Sequence, residues 1–379
     1  MRAIEPVRRR ECGVGLIEVM ISIIIGMLMV LVIYQIYEVS ESQKRTITAG
    51  SDAQQSAAYS VFAIGRDLAM AGNGIASSAN VLYPCAMLRP IPVLIQAGAS
   101  DSEPDSITVL YGGSSSLSTP VQFKQTSATS AAYVVPGPVG FSPNDVIAAV
   151  QGTTCTISTI NPGPGSVVVN PATGFATIAH TPVAGALVAT YTAVNASLIN
   201  LGQASSMKSI VYTVDGTGNR IDTGTHALTA QSQLPTAGPV NPIVSEVVNL
   251  KAQYGVDTNC NGVLVWQSAT GAWTAGSVQA MPLNTPPTTA PTYGCAAGTP
   301  SLQQIQAARI AIVTRSAKWE RDAITTGSPP GMPDGTLGLF CDPAPTCAFT
   351  MALSTDDQHY RFKILETIVP LRNALWNTP

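Results

Sequence analysis

Charge is scarce in this 379-residue chain: Lys, Arg, Asp and Glu together supply 11% of it, and aromatic residues only 6%. Its surface must then be built mostly from Ser, Thr, Ala, Gly and Asn, which suits an exported protein or one packed into a larger assembly. The mean hydropathy of +0.23 points the same way. No run of Lys or Arg occurs beyond residues 1–13 and the net charge is −3, so the footprint of a nucleic-acid binder is missing. Three histidines, His180, His226 and His359, stand too far apart for a metal or nucleophile motif. No G-x-S-x-G, HExxH or phosphate-binding G-x-x-x-x-G-K-[ST] is present. The aspartate pairs Asp101/Asp105 and Asp356/Asp357 read as turn brackets beside strands. No catalytic residue is expected, and no cofactor follows from these residues.

Cysteine is sparse and never in C-x-x-C spacing, which argues against zinc or thioredoxin-like chemistry. The seven are Cys12, Cys85, Cys155, Cys260, Cys295, Cys341 and Cys347. Cys12 lies in the basic N-terminal segment, and losing that segment leaves six, which permit three disulfides in an oxidising compartment and fifteen connectivities. The short loop between Cys341 and Cys347 makes that pair the leading bridge. Free buried cysteines are the competing reading.

Proline is absent from residues 14–72, and small residues at an A-x-A-like cut site are absent after residue 37. The second absence counts against an ordinary secretory signal. What is present is an apolar run over residues 14–37, about 24 residues or roughly 36 Å of helix, enough to cross a hydrocarbon core. Arg8, Arg9 and Arg10 precede it, which keeps the N-terminus cytoplasmic and sends the rest outward. A single carboxylate, Glu18, interrupts the run, and a charge inside a membrane helix costs about 2.5–3.5 kcal/mol on insertion scales. Beyond the run, Ile47, Ala53, Ala57, Val61, Ile64 and Leu68 mark one apolar stripe. Gly72-Asn73-Gly74 supplies the stop. The pattern predicts one helix of about 58 residues, some 87 Å long, membrane-like first and amphipathic after.

Gly13-Val14-Gly15-Leu16-Ile17-Glu18-Val19 after the basic leader resembles the class III signal of type IV pilins and pseudopilins. The resemblance implies that a prepilin peptidase cuts after Gly13 on the cytoplasmic side and methylates Val14, the first mature residue, where most family members carry Phe. Glu18, the fifth mature residue, would pair with the α-ammonium of a neighbouring subunit, or with its own, and so set axial register. The proline that kinks many major pilins would fall near Gln35 and is absent.

From Asn73 onward the chain turns to Gly, Pro, Ser and Thr with short β-branched runs. Strands are expected at 106–111, 131–135, 146–150, 154–160, 166–169, 186–193, 207–214, 247–254, 263–266, 308–314 and 360–369. Residues 270–300 and 323–347 read as long loops. A sheet covering the apolar stripe gives an α+β fold: a long N-terminal helix packed on an antiparallel β-rich, pilin-like head. The expected organisation is a leader at 1–13, a transmembrane and assembly helix at 14–72 and a head at 73–379, with an inserted subdomain at about 75–240. Asp257-Thr258-Asn259-Cys260-Asn261-Gly262 has the opening of a calcium loop, with Asp257, Asn259 and Asn261 as oxygen ligands. Position twelve is Ser268, where such a loop needs a bidentate Glu. The competing reading is an Asn/Gly hairpin turn between Tyr254 and Val263. Tyr59 and Phe62 read as helix packing; Arg309, Arg315 and Arg372 read as strand-edge charges or partner contacts.

Val247-Val248-Asn249-Leu250-Lys251-Ala252-Gln253-Tyr254, Ala308-Arg309-Ile310-Ala311-Ile312-Val313-Thr314-Arg315-Ser316 and Tyr360-Arg361-Phe362 through Leu371-Arg372-Asn373 are similar to segments of PilW-type minor pilins. Asp67-Leu68-Ala69-Met70-Ala71-Gly72 fits as well. That resemblance implies a minor pilin in type IV pilus priming, near the tip, and so in cell adhesion and twitching motility. Its partners would be other minor pilins, the major pilin, a tip adhesin, the inner-membrane assembly platform and prepilin peptidase. It would sit in the bacterial inner membrane before assembly and in the pilus afterwards. The rival readings are a minor pseudopilin of type II secretion and, in another class, a signal-anchored periplasmic adhesin or enzyme.

Overall fold

The computed structural model describes residues 15–73, 91–112, 120–151, 154–182, 189–193, 195–203, 208–215, 226–233, 238–259, 261–281, 300–327, 334–342 and 346–375. Gly13, Val14, Cys12, Cys85, Cys260 and Cys295 lie outside them. The proline-free segment forms one helix, Leu16–Met70, and Gly72 follows it at φ +78°, a left-handed position that a Cβ disfavours. The chain divides into two compact units, residues 1–51 and 52–379. In the first unit the helix is apolar and exposed all round through Val39. In the second, Ala53, Ala57, Ser60, Ile64, Asp67 and Leu68 form its buried face. The stripe therefore starts at Ala53: Ile47, expected within it, is exposed.

Two antiparallel sheets share the core beneath this helix face. One runs in the order Val93–Gln96, Ser106–Tyr111, Lys208–Val214, Ala227–Ser232, Val240–Ser245; the other runs Val265–Ser268, Val247–Val256, Ile305–Arg315, Phe362–Pro370. Ile95, Ile107, Val109 and Leu228 of the first meet Leu250, Tyr254, Ile310 and Ile312 of the second around Ile64 and Leu68. Burying such side chains is worth about 1.5–3 kcal/mol each. The chain passes from one sheet to the other at Glu246, whose φ of +63° makes the corner. The Tyr254 hydroxyl reaches across and accepts the Ile95 N–H at 2.5 Å.

The described residues between 120 and 203 carry further sheets within this second unit. The main one runs His180–Pro182, Thr154–Ile160, Asp145–Gln151, Ser197–Gln203, Val121–Gln122. One face holds Ile147, Ile160 and Leu198 against Phe123, Tyr133 and Tyr191, whose rings lie 5.0–6.1 Å apart, within the aromatic contact range. The opposite face sets Val146, Ala148 and Val150 against Leu110 of the first sheet.

Several expectations change. Residues 270–300 were expected to be one loop, yet Gly271–Trp273 and Ala275–Ala280 are helical turns. Trp273 and Val278 bury there, and Thr274 caps the second turn. Within 323–347 the strand Thr336–Leu339 pairs with Phe349–Ala352. The predicted strand at 186–193 reduces, among the described residues, to Thr190–Tyr191.

Candidate assembly surfaces

Within residues 16–37 the one Asp, Glu, Lys, Arg or His is Glu18, on the first turn of the helix, where its N–H donates to the Gly15 carbonyl at 3.0 Å. A carboxylate near a helix N-terminus is favourably placed against the macrodipole. The Leu16–Met70 helix is long and apolar enough to cross a membrane. Ser22 donates to the Glu18 main-chain carbonyl at 2.7 Å.

In the head, the helix is latched by Asp67. Its Oδ2 accepts the Tyr212 hydroxyl at 2.7 Å and its Oδ1 the Arg66 Nε–H at 2.9 Å. Burial, with Asp67 alongside, pushes the Tyr212 phenol well above its usual range. Thr314 donates to the Ala53 carbonyl at 2.9 Å, and Asn373 donates to the Met70 and Ala71 carbonyls, so the C-terminal segment also ties the helix down.

The polar face of the second sheet is covered. Asp105, expected to bracket a turn, does not lie at the surface. Buried instead, it accepts Lys251 Nζ, the Gly98 N–H and the Ala252 N–H, all at 2.9 Å. Of the two expectations for Arg309, strand-edge charge or partner contact, the first fails: it lies on an inner strand of its sheet, 4.8 Å from the Trp266 ring and 4.3 Å from the Phe340 ring. Its Nε–H donates to Gln253 at 2.6 Å, and burial lowers its pKa. Arg315 is likewise buried, stacked 4.1 Å from Tyr360 and 4.0 Å from Asp357. Arg372 alone of the three is exposed. Cys341 and Cys347 are joined as expected, beside Phe340 at φ +54°, and Cys155 is also disulfide-bonded.

Tyr59 and Phe62, expected to pack, are exposed. At Asp257 the carboxylate accepts the Asn261 N–H at 3.0 Å and the Gly262 N–H at 2.7 Å, while Asn261 Oδ1 accepts the Val263 N–H. Both Asp257 oxygens thus organise a turn of the Asx kind. Among the described residues no three His, Cys, Asp or Glu side chains form a metal-holding group. No sequence signal separated Asp105 or Lys251 from surface charges; their partners lie 146 positions apart.

A membrane-length helix with one early carboxylate, continued into a β-rich head, is an α+β arrangement consistent with a pilin-like fold. Residues 8–34 match the prokaryotic N-terminal methylation motif, and residues 211–373 match the family of type IV pilus-assembly protein W. Over these residues the chain is PilW-like, which supports a role related to type IV pilus assembly. No curated protein and no solved structure matches it.

Proposed function

We propose that this chain is a minor pilin that primes fibre assembly and stays at or near the pilus tip with other minor pilins and an adhesin. Prepilin peptidase cuts between Gly13 and Val14 and methylates Val14. The helix then holds the protein in the inner membrane with its N-terminus cytoplasmic and its head periplasmic, where the assembly platform and the major pilin engage it. Work is done by packing, without catalysis. Glu18 pairs with an α-ammonium in the helix bundle, and an unpaired partner in that low-dielectric setting costs several kcal/mol, which fixes register. The observation that carries this reading is the lone Glu18 in the otherwise uncharged apolar stretch 16–37 of the helix, on a chain whose residues 211–373 match a pilus-assembly family. The match to that family favours the pilus over type II secretion. The turn at Asp257 needs no ion in this reading.

Glu18→Ala in the native host, with fibres counted by electron microscopy and intact mass read on the membrane-extracted chain, tests it. The expected result is a chain beginning at N-methylated Val14 and a sharp fall in fibre number. Wild-type fibre numbers, or an N-terminus still at Met1, would overturn it.

A further inference from the structure

We propose that the open edge of the strand Phe362–Pro370 accepts an extended strand from a fellow subunit, an apolar segment with acidic residues at its ends. This strand pairs with Ile305–Arg315 on one side and, among the described residues, with nothing on the other. Its backbone direction follows from its two flanks. The Ser316 N–H donates to the Arg361 carbonyl at 2.8 Å, and the Leu371 N–H donates to the Gln306 carbonyl at 2.9 Å. Alternation in an antiparallel ladder then turns residues 363, 365, 367 and 369 inward as well. The N–H and C=O groups of Phe362, Ile364, Glu366 and Ile368 are left facing the open side.

Folded proteins blunt such edges, and this one blunts its others. Among the described strands, Val240–Ser245 carries Pro242 and His180–Pro182 ends in proline. Val93–Gln96, Val265–Ser268 and Val121–Gln122 run to four residues or fewer. Phe362–Pro370 has 9 residues, with proline only at its last position. Its side chains are apolar on both faces, with Ile364 37%, Leu365 37% and Ile368 58% exposed. Its one carboxylate, Glu366, is turned back to accept the Phe340 N–H at 2.6 Å. Exposed Lys363 and Arg372 remain near its two ends, so the complementary strand is apolar in the middle and acidic at its flanks. A strand added here would lie beside the long helix, because Val369 packs at Gly65, and Phe62, three positions earlier on the helix, is exposed.

That the occupant is a fellow pilus subunit rests on the function proposed above; the open edge does not. The test places the photo-crosslinking residue p-benzoylphenylalanine at position 364 of the full chain in its native host, with position 240 on the proline-bearing edge as control. The cross-linked peptide is identified by mass spectrometry. The expected product is one acid-flanked apolar segment of another pilus subunit. Ile368→Pro removes only an outward N–H and keeps the inner ladder, so it should cut the cross-link about tenfold or more while the chain stays folded in detergent. Ile368→Lys, which leaves the backbone intact, should do the same if the proline variant fails to fold. Cross-links only to a second copy of this chain, only to lipid, or no stronger than at position 240 would overturn the proposal, as would an undiminished cross-link in folded Ile368→Pro or Ile368→Lys. Wild-type fibre numbers after deletion of the chain would instead sink the proposed function, and the loss of the cross-link in Ile368→Lys still reports on the edge.

Discussion

Removing Asp105 should damage the head more than removing its partner Lys251, although both belong to one ion pair. The pair is dry: both side chains are 2% exposed and their atoms are 2.9 Å apart. Asp105 also holds two backbone N–H groups, of Gly98 and Ala252, and its own N–H donates to the Leu250 carbonyl at 2.8 Å. In Asp105→Ala those two N–H groups lose their acceptor, and the Lys251 ammonium is left with the Ser100 carbonyl at 3.0 Å and the Phe349 ring at 5.2 Å. Stranding a buried charge in this way costs about 3–5 kcal/mol. Lys251→Met leaves a carboxylate still bonded to both N–H groups, at a cost of about 2 kcal/mol. In the double variant the stranded ammonium is gone, so its cost should fall below the sum of the two single losses by about 1–3 kcal/mol. Urea unfolding of the detergent-solubilised chain, followed by tryptophan fluorescence, reads all three. With a slope of about 3 kcal/mol/M, a 4 kcal/mol loss lowers the midpoint by more than 1 M. Additivity within about 0.5 kcal/mol, or a Lys251→Met more damaging than Asp105→Ala, would refute the reasoning.

Gly255→Ala puts a Cβ 2.8 Å from Trp266 Cζ3 and 2.9 Å from Ala307 Cβ, between two packed strands. It should cost about 1–3 kcal/mol by overpacking, a Tm loss of roughly 2–4 °C per kcal/mol; an unchanged Tm counts against the fit at that contact. Glu246, at the corner between the sheets, has a buried Oε2 without a hydrogen bond. Burial raises its pKa above 4.5, against the opposing pull of Arg315. The stability it contributes is therefore complete below pH 4.5 and is lost as pH rises through its folded-state value. Glu246→Gln should raise the urea midpoint at pH 7, with the advantage closing as pH falls below 4.5; a gain that does not vary with pH would contradict this.

The long helix was legible because its signals are local: no proline over residues 14–72, an apolar run, a stripe, and Gly72 at the stop. Strands 106–111 and 154–160 were legible from β-branched residues between turn formers, and both keep those bounds. Ser197–Gln203, Ala227–Ser232 and Val240–Ser245 were not. The first carries buried Asn200 and a bulge at Gly202, the second is half Ala and Ser, and the third contains Pro242. Each is held by its neighbours in the sheet rather than by its own propensity. Of the predicted site residues, the Cys341–Cys347 bridge could be read from nearby residues. The head's polar network could not, since Asp105 and Lys251 meet only through tertiary folding.

Alternation in a strand reports two faces without saying what covers either. In Val247–Val256 the polar set Asn249, Lys251 and Gln253 reads as a solvent face, yet all ten residues are buried. Lys251 is held from residues 100 and 105, and Asn249 donates to the carbonyls of Asp101 and Ser102 and to Met351 Sδ. The opposite mismatch occurs at Phe362–Pro370. Ile364, Leu365 and Ile368 put apolar side chains on both faces, the pattern of a strand covered on both sides. Yet the strand lies at the sheet's margin with those side chains in water. A polar face that turns out buried is explained inside the molecule, by the segments that fold over it. An apolar edge that turns out exposed has no such cover among the described residues, so the same physics directs attention to a strand supplied from outside.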